Sequence, residues 1–116
     1  MKRVFFLLLI TLFSFSVAAQ DSGFTMAGMT DVAGGQETRY SLLYNGTLVC
    51  ESSGPAISNV QWHVEYGTLE SIQEYCTTAD VRWDDVSAPT VGVVYVQFDY
   101  NGQSYTVGTG NGVRIN

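Results

Sequence analysis

The chain is poor in positive charge. After Met1-Lys2-Arg3 its 116 residues contain no lysine and only Arg39, Arg82 and Arg114, set against eleven carboxylates. Binding to nucleic acid phosphates or to an anionic membrane surface needs clustered Lys and Arg, so both are excluded as partners. There are only two prolines and one histidine, His63, and no CxxC pair, which leaves a zinc site without ligands. None of GxSxG, HExxH, GxxxxGK[ST] or GxGxxG occurs, and with them go the usual hydrolase, metalloprotease and nucleotide-binding patterns.

One apolar run stands out, Val4 to Val17, broken only by Thr11, Ser14 and Ser16. It follows two positive charges and ends in Val17-Ala18-Ala19, with small residues at −3 and −1 before Gln20. This is the pattern of an export signal at residues 1–19, cleaved after Ala19, and about 14 apolar residues are too few for a membrane-spanning helix. The expected product is secreted or periplasmic, acidic and free of membrane insertion. Its charge is −8.

Cys50 and Cys76 are the only thiols, and in an exported protein a mutual disulfide is the default. Residues before Cys50 belong to strand vocabulary and those around Cys76 are polar, so the bond is expected to tie a strand to a surface connection. Nothing basic adjoins either cysteine to lower a thiol pKa, and a catalytic dithiol is not expected.

Residues 20–37 are rich in Gly, Ser, Thr and Ala without sustained periodicity, and read as a flexible leader with at most one edge strand. From residue 38 to 116 the composition turns to Tyr, Val, Leu, Thr and Trp in short runs separated by turn signals, which predicts a β domain. Val60-Gln61-Trp62-His63-Val64-Glu65-Tyr66 alternates apolar and polar, with Trp62 in the core and His63 on the wet side beside Gln61 and Glu65. Asn101-Gly102 predicts a two-residue hairpin turn that sets Tyr100 opposite Gln103, Phe98 opposite Tyr105 and Val96 opposite Val107. Asn45-Gly46 gives a second turn, and Asn45-Gly46-Thr47 also spells a glycosylation acceptor. Asp80-Val81-Arg82-Trp83 alternates like a short strand. Thr68 to Tyr75 is the one stretch that allows a helical turn or two. Six or seven short strands suit an all-β, antiparallel two-sheet sandwich.

Trp62-x-Val64-x-x-Gly67, then Val81-x-Trp83, then Gly92-x-Val94-x-Val96 resemble the PKD-like and immunoglobulin-like β-sandwich modules of secreted bacterial surface proteins. The resemblance spans about Tyr40 to Val113. It implies that Trp62 lies in a central strand and packs in the core, that the Val81-x-Trp83 strand pairs nearby, and that the Gly92 strand completes the second sheet. It implies no catalytic residue and no cofactor.

Asp80, Asp84 and Asp85 are the densest carboxylates and the only metal candidates, although the DxDxDG spacing of a calcium loop is missing. Gly108-Thr109-Gly110-Asn111-Gly112 is glycine-rich but opens no helix that would make it a phosphate cradle. The aromatics Tyr40, Tyr44, Trp62, Tyr66, Trp83, Phe98 and Tyr105 are assigned to the core or sheet faces. Tyr95 and Tyr75 point outward, and Tyr95 with Gln97 and Asp99 forms a candidate binding surface for a sugar ring or a protein. The function expected is that of an exported, non-enzymatic module with a structural, adhesive or protein-interaction role. The alternative is a small glycan- or partner-binding protein that uses the face around Tyr95. A small secreted enzyme would require a cleft with perturbed carboxylates.

Overall fold

The computed structural model describes residues 23–116, and the export signal expected over residues 1–19 lies outside them. All ten elements of the described residues are strands: β1 (Phe24–Ala27), β2 (Asp31–Val32), β3 (Glu37–Tyr44), β4 (Thr47–Leu48), β5 (Ser58–Glu65), β6 (Gly67–Gln73), β7 (Thr78–Trp83), β8 (Thr90–Tyr100), β9 (Gln103–Gly108) and β10 (Val113–Ile115). They form two five-stranded sheets that share one core. The first runs β1-β3-β7-β6 with β4 also on β3, and the second runs β2-β10-β8-β5 with β9 also on β8. Pairing is antiparallel except between β2 and β10, which are parallel, so the arrangement is mixed where sequence predicts a purely antiparallel one.

The long strand β8 organises the second sheet. Its outward and inward residues alternate from Val91 to Asp99, burying Gly92, Val94, Val96 and Phe98. One side pairs with β5. The other is shared, β10 taking Thr90 to Gly92 and β9 taking Tyr95 to Tyr100. The β8–β9 register is the one that Asn101-Gly102 predicts, with Phe98 opposite Tyr105 and both turn residues at positive φ, 56° and 80°. Asn45-Gly46 closes the β3–β4 turn in the same way, at 50° and 85°.

Trp83 joins the two sheets. It ends β7 in the first sheet, is 1% exposed, and donates its indole N–H to Thr38 Oγ1 at 2.9 Å. Its ring meets Tyr40 edge-on at 6.1 Å. The slot it fills is cut by two glycines. A Cβ at Gly67 of β6 would lie 3.0 Å from Trp83 Cε3, and one at Gly92 of β8 only 2.6 Å from Trp83 Cζ3. Any side chain on Gly92 would therefore drive the sheets apart.

Four sequence expectations are corrected. Thr68 to Tyr75 is not helical: β6 covers most of it, because Gly67 to Gln73 pair with β7 along their length. The leader is not free of structure beyond one edge strand, since Phe24 to Val32 supplies both β1 and β2 and Phe24 is wholly buried. Trp62 is buried as expected but lies on β5, the edge of its sheet, not in a central strand. Val60 and Tyr66 leave the buried face, at 39% and 53% exposure. A bulge between Ser58 and Gln61 turns Val60 outward, and Tyr66 sits at φ 65° where the chain passes from β5 in one sheet to β6 in the other. Both edge strands β5 and β6 carry a bulge, a device that discourages edge-to-edge association.

The disulfide is formed. Cys50 and Cys76 face each other across an isolated antiparallel bridge, and Thr77 N–H to Val49 O (2.9 Å) and Glu51 N–H to Tyr75 O (2.8 Å) flank it. It ties the connection just past β4 to the β6–β7 connection, so it joins two connections rather than the strand and connection expected, because β4 ends at Leu48. Closing this 26-residue separation restricts the unfolded chain by about 3.5 kcal/mol in the loop-entropy account.

Two outcomes follow for denaturation. Trp83→Ala should lose about 3–5 kcal/mol and Gly92→Ala about 1–3 kcal/mol, read from urea midpoints, and wild-type midpoints in both would contradict the slot. Reductant should lower the melting temperature of the oxidised protein, whose intact mass should be two hydrogens below that of the reduced chain. Free thiols in protein purified without reductant would overturn the staple.

Candidate functional site

The two outer faces differ in chemistry. On the first sheet, β3 and β7 set opposite charges in register: Glu37 faces Arg82 and Arg39 faces Asp80. Arg39 donates to both Asp80 oxygens at 2.8 and 3.2 Å, and Ser71 of β6 adds a third bond at 2.8 Å. Arg82 donates to Glu37 at 2.8 Å, to Glu70 at 2.9 Å and to the carbonyl of Gly35. This face is a closed lattice of mutually satisfied groups, and because the pairs are exposed their contribution to stability is small.

Asp80 is therefore a structural carboxylate. Hydrogen bonds from Arg39 and then Ser71, with the Arg39 charge, hold it below the usual carboxylate value. Asp84 and Asp85 lie in the loop after β7, with Asp85 against Gly34 and Gly35. Among the described residues no group of three or more His, Cys, Asp or Glu is placed to hold a metal ion.

On the second sheet the outward residues are Gln61, His63 and Glu65 of β5, Val91, Val93, Tyr95, Gln97 and Asp99 of β8, and Ser104 and Thr106 of β9. His63 and Tyr95 are direct cross-strand partners, and their rings stack at 4.8 Å with an 18° interplanar angle. Gln61 and Gln97 are the next pair along. His63 is half-buried rather than fully exposed, and its Nε2 is shut off from solvent with no hydrogen-bond partner. On the far side of Tyr95 the facing residue is Gly108, which brings no side chain.

The three surface residues expected from sequence do not act alike. Tyr95 and Gln97 share the open face. Asp99 has both oxygens engaged, by Asn59 Nδ2 at 2.7 Å and Ser104 Oγ at 2.8 Å, and these bonds lower its pKa. These bonds tie together the β5–β8–β9 end of the face. Tyr75, the other outward aromatic, is 58% exposed and donates to Ser52 Oγ beside the disulfide, away from this face.

Sequence reading misses His63 and Gly108 as members of the site. Alternation along β5 puts His63 outward, but its contact with Tyr95 depends on the β5–β8 register, which no local turn sets. Gly108 was legible: extending the Asn101-Gly102 register by three pairs beyond Phe98–Tyr105 sets it opposite Tyr95. No family model, curated protein or solved structure matches the chain.

Asp80 and Asp99 give a pH signature. Their folded pKa values lie below the unfolded value of about 3.9, so on acidification the unfolded chain takes up protons first. Their stabilisation is complete above about pH 5 and is lost as the pH falls through the folded values. The double variant Asp80→Asn, Asp99→Asn should flatten the acid limb of a melting-temperature profile. An unchanged acid limb would contradict the assignment.

Proposed function

We propose that the chain is an exported, non-enzymatic β-sandwich module of the PKD-like or immunoglobulin-like kind, acting as a structural, adhesive or protein-interaction element at the cell surface. The sequence of residues 1–19 supports export to the periplasm or beyond, and the Cys50–Cys76 bond is consistent with an oxidising compartment. The observation that carries an interaction role is the contrast between the outer faces. The charged groups of the first sheet satisfy one another, whereas the second presents an aromatic stack flanked by the amides of Gln61 and Gln97. Aromatic rings with adaptable polar neighbours are what interaction surfaces concentrate.

The second reading, a small glycan- or partner-binding protein working through the face around Tyr95, is favoured by the His63–Tyr95 stack itself. The stack holds the Tyr95 ring in one orientation, so little side-chain freedom is lost when a ligand settles on it.

Affinity capture from extracellular extract tests both, with three baits: the exported protein, Tyr95→Ala, and the opposite-face variant Arg39→Gln. A partner held by the first and third and lost from the second is the expected outcome. Loss from Arg39→Gln alone would move the working surface to the first sheet, and capture of nothing would overturn the interaction role.

A further inference from the structure

Strands at the sides of the two sheets are guarded against further pairing, with one exception. β1 has four residues and β2 and β4 have two each, while β5 and β6 carry bulges and the carboxylates Glu65 and Glu70. Short length, bulges and charge are the means by which an edge avoids a second chain. β9 has none of them. It is six residues long, pairs with β8 residue for residue without a bulge, and reads Gln-Ser-Tyr-Thr-Val-Gly, with no charge and no proline. Its other side carries no strand, since β2 pairs with β10 only.

The hairpin decides which backbone groups that side presents. A two-residue turn makes Tyr100 and Gln103 a doubly bonded pair, so Gln103, Tyr105 and Val107 turn their N–H and C=O toward β8. Ser104, Thr106 and Gly108 turn theirs away. β10 lies along the same side of β8 and shows how such groups are met: the Arg114 N–H donates to Thr30 O at 2.8 Å, just before β2. Among the described residues no backbone partner of this kind meets Ser104, Thr106 or Gly108.

We propose that β9 is a self-association edge, at which a second copy of this chain adds its own β9, antiparallel, about a two-fold axis through Thr106. The sequence of β9 complements itself in this register. Ser104 meets Gly108 of the second copy, Thr106 meets Thr106, and Gly108 meets Ser104, each pair exchanging two N–H···O bonds, so every free backbone group of the edge is used. Between them Tyr105 falls opposite Val107 on the inward side, and the two Thr106 side chains meet on the outward side. Aromatic with β-branched, and Thr with Thr, are favourable cross-strand pairs. Charge selects the same edge. From residue 20 on, eleven carboxylates stand against three arginines, so two copies repel in general, and along β9 they meet without opposing like charges. The carboxylate of the hairpin, Asp99, is bonded to Asn59 and Ser104, and the two-fold sets it in line with Tyr95 of the second copy rather than with the second Asp99. The second sheets of the two copies then form one continuous sheet, on which the row Gln61, Gln97, Thr106 runs into the same row of the other copy.

The test is sedimentation equilibrium of the folded, oxidised protein, with amide hydrogen exchange to place the contact. The mass should rise toward that of two chains between about 10 µM and about 1 mM, and more readily at high salt, which screens the repulsion of two acidic copies. Over the same range the amides of Ser104, Thr106 and Gly108 should come to exchange at least about tenfold more slowly, while those of Trp62 and Val64, on the free edge of β5, stay as they were. Thr106→Lys sets two like charges opposite each other, and Thr106→Pro removes an N–H that β8 does not use, so both should keep the protein monomeric. Thr106→Lys should also leave the melting temperature of dilute protein unchanged, which separates loss of the dimer from loss of the fold. A monomeric mass throughout the range would overturn the proposal. So would a dimer that Thr106→Lys leaves intact, or protection that appears at Trp62 and Val64 instead.

Discussion

The slot occupied by Trp83 is the constraint on which the rest of the structure depends. A single indole reaches from the last residue of β7 across the interior to the second sheet, and it fits because Gly67 and Gly92 have no Cβ in its path. Its N–H is satisfied by Thr38, so a large polar-tipped side chain is buried without an orphaned donor. Tyr40 packs against it edge-on, and Ile115 closes the second-sheet side, where a Cβ at Gly92 would come within 3.1 Å of Ile115 Cδ1. Separation of the sheets is thus set at this point rather than by the average of many valines.

From that fixed separation the second sheet inherits its form. Gly92 lies where β8 changes neighbours, with β10 along its start and β9 along its later half, and the residues that follow alternate strictly between core and surface. Holding Gly92, Val94 and Val96 inward obliges Val91, Val93 and Tyr95 outward, since the strand repeat is two. The β5 register then brings His63 beside Tyr95. The core packing and the outer face are two sides of one alternation. The first sheet has the same alternation with a different outcome: its inward Thr38, Tyr40, Val81 and Trp83 are matched outward by charges that pair across strands.

Local chemistry was legible in the sequence and distant register was not. Asn45-Gly46 and Asn101-Gly102 each demand positive φ at two successive positions, and both hairpins form with the register those turns impose. The disulfide joins the two cysteines of the sequence, the pairing expected of them. Thr68 to Tyr75 misled because its apolar residues, Leu69 and Ile72, are three apart; a bulge at Glu70 inserts one extra residue and shifts the strand period by one. Tyr66 misled because alternation continues through it in sequence while the backbone turns to the other sheet. The stretch from Phe24 to Val32 looks like a linker by composition, yet β1 and β2 each require a partner strand far along the chain, β3 and β10, which composition does not register. The site is half visible: alternation places Tyr95, Gln97 and Asp99 on one face, but does not reveal the bonds from Asn59 and Ser104 that engage both Asp99 oxygens.

The disulfide and the ion lattice act on the first sheet, away from Tyr95, and so stabilise the scaffold without restricting the second sheet's outer face. What couples the two sheets is Trp83. The most direct measurement is a nuclear Overhauser spectrum of the folded, oxidised protein. Cross-peaks from the Trp83 ring protons to the Gly92 α-protons and the Ile115 δ-methyl on one sheet, together with Thr38 and Tyr40 on the other, are the predicted result. A Trp83 ring that sees only residues of its own sheet would contradict the account.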